Sequence, residues 1–116
     1  MTILVRPSRD EDIAAIHAIY TPAVLGGTAS FELEPPDAEE LRRRRAAILA
    51  DGFPYLVAEL DGRIVGYAYA GKYRPRPAYR YAVEDSIYVM PDCQGKGVGK
   101  ALLSQLITDC EALGMR

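Results

Sequence analysis

The run Gln94-Gly95-Lys96-Gly97-Val98-Gly99-Lys100-Ala101 places three glycines and two lysines between a β-branched, aromatic segment, Ile87-Tyr88-Val89, and an amphipathic helical pattern. A strand that passes through a bare backbone turn into a helix makes an anion cradle. The first amides of a helix lack intrahelical acceptors and sit at the positive end of its dipole, while glycines let a phosphate approach the main chain. These residue types point to a ligand carrying phosphate, pyrophosphate foremost. A glycine-rich turn that only eases strand-to-helix packing is the competing reading of the same residues.

Spacing narrows the ligand. A Walker A loop ending in Gly99-Lys100 needs Gly where Gln94 stands and Ser or Thr where Ala101 stands. A dinucleotide fingerprint beginning at Gly95 needs Gly or Ala at Lys100, and the elements before it read as an antiparallel meander instead of a βαβ unit. The spacing that fits is Gln-x-x-Gly-x-Gly at Gln94, Gly97 and Gly99. It resembles the coenzyme A pyrophosphate loop of the GNAT N-acetyltransferases.

The elements that must hold this loop can be read along the chain. Ile3 to Arg6 predicts a strand stopped by Pro7, and Ser8-Arg9-Asp10-Glu11 has capping-box spacing for a helix with Ile13, Ile16, Ile19 and Tyr20 on its apolar side. Thr21-Pro22 ends or kinks that helix, Gly26 to Pro36 is a loop, and Asp37 caps a second helix to about Ala50. Within it Arg42 to Arg45 wrap around the axis at about 100° per residue instead of forming one basic face, with Glu39 and Glu40 in pairing reach. Tyr55 to Leu60 and Arg63 to Ala70 predict a hairpin around Asp61-Gly62. After a basic loop from Lys72 to Pro77, Tyr79 to Val89 reads as a long strand closed by Pro91, and Gly97 to Leu113 as a third helix with Gly114 as its C-cap. The expected fold is α/β (α+β), order β-α-α-β-β-β-α, a mainly antiparallel sheet with flanking helices.

Composition bounds the partners. The 116 residues suit one small domain spanning 1–116, and 14 Lys plus Arg against 16 Asp plus Glu give no electrostatic case for nucleic acid or an anionic membrane. No apolar run is long enough to span a bilayer, and Ile3-Leu4-Val5 reads as a strand instead of a signal peptide, so the expected location is cytoplasmic. Cys93 and Cys110 indicate neither a disulfide framework nor a zinc cluster, and no metal is expected. His17, the single histidine, has no metal-spaced partner.

The resemblance sharpens at Val83-Glu84-Asp85-Ser86-Ile87-Tyr88-Val89, followed by Pro91 and the Gln94 loop. Together with Thr28-Ala29-Ser30-Phe31-Glu32 and Gly66-Tyr67-Ala68-Tyr69-Ala70, it is similar to the phosphinothricin and methionine sulfoximine N-acetyltransferases over essentially the whole chain. The resemblance implies acetyl-CoA as co-substrate, a small amino-acid-like amine as acceptor, and one partial acyl-CoA N-acyltransferase domain. By the same match Glu84 is the catalytic carboxylate, Tyr88, Val89 and Met90 the strand end that meets the coenzyme, and Gln94, Gly95, Lys96, Gly97, Val98, Gly99, Lys100 and Ala101 its pyrophosphate loop.

Acetyl transfer needs a neutral amine, whereas a primary amine is largely protonated at neutral pH, so a base is required. The residues alone divide evenly between Glu84 and its neighbour Asp85; the resemblance favours Glu84. Arg74 is preferred over Arg76 as a bidentate partner for a substrate carboxylate, with Phe31 as an apolar wall, although a solvated loop charge fits either arginine equally well. An acyl-cysteine route through Cys93 lacks a histidine partner.

Relatives continue past the position of Arg116 with further strands and a helix carrying an Asn that touches the coenzyme. The expectation is therefore a truncated enzyme with the Tyr79 to Val89 strand at a sheet edge, self-association through that edge, and a homodimer. A noncatalytic acyl-CoA-binding module is the alternative function.

Overall fold

Asp61 and Gly62 both take left-handed backbone conformations, φ +53° and +84°, closing a two-residue type I′ turn. The turn joins β2 (Tyr55–Leu60) to β3 (Arg63–Lys72), with Leu60 opposite Arg63. β1 (Ile3–Pro7) pairs with the far side of β2 and β4 (Val83–Val89) with the far side of β3, so the antiparallel sheet runs β1-β2-β3-β4 in chain order. α1 (Ile13–Leu25) and α2 (Ala38–Ala50) cover one face, and α3 (Val98–Ala112) covers the other. This computed structural model describes residues 2–26, 34–72 and 83–113. The element order and the mainly antiparallel sheet agree with the sequence reading.

Strand alternation divides the core into two layers. Leu56, Ala58, Ala68 and Ala70 face α3, where Val98, Leu102 and Leu106 are fully buried, each such side chain contributing roughly 1.5–3 kcal/mol. On the opposite face Tyr55, Val57 and Tyr67 meet Ile13, Ile16 and Ile19 of α1 and Leu41 of α2. Tyrosine rings run across this layer: Tyr55 and Tyr67 stack at 5.9 Å, Tyr67 and Tyr88 at 5.2 Å, and Tyr20 of α1 meets Tyr88 edge-on at 5.1 Å. Burial pushes the Tyr67 and Tyr55 hydroxyls up from their ordinary range, neighbouring tyrosines adding to the effect. A bulge at Ala58/Glu59 shifts the β2–β3 register and turns Val65 toward the α3 layer.

Three local expectations are corrected. Pro7 belongs to β1, opposite Leu56; on an edge strand its missing N–H breaks no ladder. The cap before α1 is shifted by one residue: the Asp12 carboxylate accepts from the Arg9 N–H at 2.7 Å, closing a 3₁₀ turn over Asp10–Asp12. Ser8 is engaged elsewhere, its hydroxyl and carbonyl accepting from the Arg45 guanidinium of α2, both at 2.8 Å. Finally, α1 continues through Pro22 to Leu25. Pro22 is exposed while Val24 is buried, so packing of the last turn outweighs the donor that proline lacks.

The α2 cap and its arginines follow the sequence reading. Asp37 accepts from the Glu40 N–H at 2.9 Å. Arg42 pairs with Glu39 and Asp10, and Arg43 and Arg44 both pair with Glu40. A more buried cluster ties β1 to β2: Arg6 grips Asp12 bidentately at 2.9 and 3.0 Å and Glu59 at 2.6 Å. Hydrogen bonds from Arg6 hold the Asp12 carboxyl below the usual carboxylate range, against the desolvation that would raise it. Among the described residues no helix is long and apolar enough to cross a membrane, and no group of three or more His, Cys, Asp or Glu is gathered as for a metal ion.

Candidate functional site

The glycine run is anchored at both ends. At its start the Met90 N–H donates to the Val65 carbonyl at 2.8 Å, and a 3₁₀ turn over Pro91–Cys93 closes with the Cys93 N–H on the Met90 carbonyl at 2.9 Å. Cys93 is buried in the α3 layer. At the other end, α3 docks where β3 carries Gly66. A Cβ there would stand 3.0 Å from Val98 Cγ1, 3.1 Å from Leu102 Cδ1 and 3.1 Å from the Tyr88 carbonyl oxygen. The absent side chain thus sets how deeply the first turn of α3 sits on the sheet.

Between these anchors Gly95 and Gly97 take φ +83° and +84°, and a Cβ at either position would meet nothing within 4 Å. Gly97 is the N-cap of α3, and no side chain caps the helix. The first intrahelical bond runs from the Ala101 N–H to the Gly97 carbonyl at 3.0 Å. It leaves the N–H groups of Val98, Gly99 and Lys100 at the open helix end, ahead of any intrahelical acceptor. A cleft of about 400 Å³ opens there, lined by Ile87, Val89 and Cys93 together with Gln94, Gly95, Gly97, Gly99 and Lys100. Bare backbone, open space beside two glycines and unpaired helical amides fit a phosphodiester or pyrophosphate, as the coenzyme A loop requires.

β4 adds a second donor set. Because Met90 donates toward β3, antiparallel alternation turns the Val89 and Ile87 amides to the side of β4 that carries no strand among the described residues. The side chains of Ile87 and Val89 pack with the α3 layer, whereas Tyr88 belongs to the tyrosine layer. Asp85 acts on Cys110 of α3, whose thiol is pushed up by burial with Asp85 and Asp109 adding to it. Two residues before Ile87 on β4, Asp85 shares the α3 side of the strand.

The residues expected from sequence are distributed as follows. Glu84 occupies β4 opposite Gly71, one position out of phase with Asp85 and in phase with Ser86 and Tyr88. Tyr88 and Val89 stand on opposite faces at the end of β4, and Met90 touches both core layers. Gln94, Gly95, Gly97, Gly99 and Lys100 line the cleft; Lys96 is exposed in the turn, the Val98 side chain is buried, and the Ala101 amide is bonded within the helix. Phe31, Arg74, Arg76 and the start of the expected long strand lie outside the described residues, as does Gly114. Ile87 belongs to the strand whose backbone amides the sequence offers to the thioester carbonyl, whereas the packing role of Gly66 is not assigned from sequence. Alternation with Val89 marks the first, and the small-aromatic alternation Gly66-Tyr67-Ala68-Tyr69-Ala70 marks the second.

Known proteins share this arrangement. The chain is 58% identical over 107 residues to a phosphinothricin N-acetyltransferase of Alcaligenes faecalis, a match covering 92% of this chain and 54% of that protein. It is 41% identical to an L-methionine sulfoximine/L-methionine sulfone acetyltransferase of Salmonella typhimurium, covering 89% and 60%. The crystal structure of a GNAT superfamily phosphinothricin acetyltransferase from Sinorhizobium meliloti in complex with AcCoA superimposes with a TM-score of 0.93 at 47% identity, over 100% of this chain and 63% of that one. The chain thus spans between about half and two thirds of the length of these relatives. Residues 13–116 match the model of the Acetyltransferase (GNAT) family. With its glycine-capped third helix and open fourth strand, the chain belongs to that family.

Proposed function

We propose that this chain carries the acyl-donor side and the base of an N-acetyltransferase that moves an acetyl group from acetyl-CoA to the amine of a small amino-acid-like substrate of the phosphinothricin or methionine sulfoximine type. The observation that carries the proposal is the bare end of α3: a left-handed Gly97 cap, no capping side chain, and an open cleft beside it. Relatives named for these substrates support the acceptor class, and the relative crystallised with AcCoA supports the donor.

When bound, acetyl-CoA supplies an acyl thioester already activated toward an amine. The chain's own residues then have three tasks. The amides of the glycine turn and of Val98, Gly99 and Lys100 hold the pyrophosphate without a counter-charge having to be buried. The outward amides of Ile87 and Val89 align an extended amide-bearing arm along β4 in the manner of an added strand, and offer donors where a carbonyl oxygen gains negative charge. Glu84, in phase with the tyrosine face, takes the proton of the incoming ammonium directly or through one water, so that nitrogen arrives as the free base. Donor and acceptor thereby meet at the outer edge of β4. Phe31 and Arg74 belong to this proposal as the apolar wall and carboxylate partner of the acceptor. A cytoplasmic setting and a homodimer complete it; sedimentation as a monomer at every concentration would remove the dimer.

The test is thiol release from acetyl-CoA with a panel of amines that includes phosphinothricin and methionine sulfoximine. Amine-dependent release with acetylated product supports the proposal. Coenzyme A binding with no amine-dependent turnover by this chain assigns it instead to noncatalytic acyl-CoA binding.

A further inference from the structure

Two cations that the amide cradle does not need stand at the glycine turn, one of them on the cleft wall. Lys96 is exposed in the glycine turn, and Lys100, exposed in the first turn of α3, lines the cleft. Among the described residues neither enters an ion pair, and the acid just before the loop, Asp92, is already held by Arg63 at 3.4 Å. From Gln94 to Ala101 the chain carries these two positive charges and no carboxylate, although its formal net charge is −2.

Coenzyme A presents two anionic parts of different character. Its pyrophosphate is a diester with one charge on each phosphorus, suited to the close-set donors of a helix end. Its 3′-phosphate is a monoester, bearing nearly two charges at neutral pH on the ribose, and a mobile ammonium on a flexible stem suits it better than fixed amides. Resting on the acyl-CoA reading above, we propose that Lys96 and Lys100 form a 3′-phosphate subsite through which the protein distinguishes coenzyme A from 3′-dephospho-coenzyme A. The amides hold what the two nucleotides share; the lysines read the group that differs.

Calorimetric titration separates these roles without any turnover. The native sequence should bind coenzyme A about tenfold more tightly than dephospho-coenzyme A at low salt, the scale of two exposed ion pairs to one dianion. Lys96→Ala with Lys100→Ala should abolish the preference by weakening coenzyme A alone, and the paired Lys→Arg variant should restore it. Raising the ionic strength to about 0.5 M should shrink the preference, because exposed charges are then screened within a few ångströms. Equal binding of the two nucleotides by the native sequence removes the subsite and leaves the acyl-CoA reading standing. An equal loss for both in the double alanine variant moves the lysines to the pyrophosphate and overturns the proposal. Binding of neither nucleotide overturns the acyl-CoA reading and this subsite with it.

Discussion

On the α3 face of the sheet Gly66, Ala58, Ala68 and Ala70 receive Val98, Leu102 and Leu106, whereas on the α1/α2 face tyrosine rings lie 5–6 Å apart among isoleucines. Small strand residues let a helix approach until one added methyl would collide. Rings instead cover the strands with stiff, amphipathic surface that ends in hydroxyls. The difference suits two tasks. On the proposed function, a helix end whose amides meet a phosphate has to be fixed in depth, and close packing does that; the tyrosine layer, with Tyr55 and Tyr67 buried beneath α1 and α2, fills the core on the other side.

The largest effect should arise at the proposed base. Glu84→Gln keeps size and hydrogen bonding but loses the proton acceptor, so turnover in a catalytically competent form should fall about 10²–10⁴-fold while acetyl-CoA affinity holds. Higher pH should recover part of the loss as more of the amine arrives unprotonated. Asp85→Asn, on the other face, should be mild. The reverse ranking would move the base to Asp85.

The α3 side should respond in coenzyme binding and stability. Leu102→Ala should cost about 2–5 kcal/mol in denaturant titration, because a fully buried leucine leaves a cavity. Gly66→Ala should cost about 1–3 kcal/mol, since the Tyr88 carbonyl cannot yield as easily as Val98 and Leu102. It should also weaken coenzyme A several-fold by lifting the first turn of α3; unchanged affinity would show that helix depth does not set the cradle. Tyr67→Phe keeps the ring and should change stability by about 1 kcal/mol or less.

Acid offers a contrast that lies at the sheet margin. The folded carboxyl of Asp12 is depressed by Arg6, so its contribution is fully present above the unfolded value and is lost as pH falls from about 4 toward the folded value. Asp12→Asn should lower stability at neutral pH by about 3 kcal/mol and flatten this part of the acid transition. Parallel acid curves for variant and native protein would exclude the pair as its source.

Features written in short-range chemistry were legible from sequence. Asp61-Gly62 specifies a turn that needs two left-handed residues, Asp37 is a cap three positions before the amide it accepts, and the glycine spacing marks an uncapped helix start. What escaped depended on distant partners. Ser8 has the right type for a cap, yet Arg45 takes it from across the fold, and Asp12 serves in its place. Pro22 reads as a stop or a kink because local rules weigh its missing donor and not the burial of Val24, with which the helix runs on to Leu25. The one-residue offset between Glu84 and Asp85 was legible as alternation, but that Asp85 shares the α3 side with Ile87 and Val89 required knowing where α3 packs.

Because the Asp61-Gly62 turn joins adjacent strands, the central pairing of the sheet closes over a very short loop, whereas β1 must find β2 across residues 8–54. Loop closure makes the first contact fast, on the scale of about 1–10 μs for an isolated hairpin, and the second dependent on helices already in place. Refolding should therefore begin at the hairpin and finish with the N-terminal strand. Val57→Ala should slow refolding, while Val5→Ala should act mainly by speeding unfolding. On a ribosome the same order means that the first strand made waits, unpaired, until the chain beyond Leu60 has emerged.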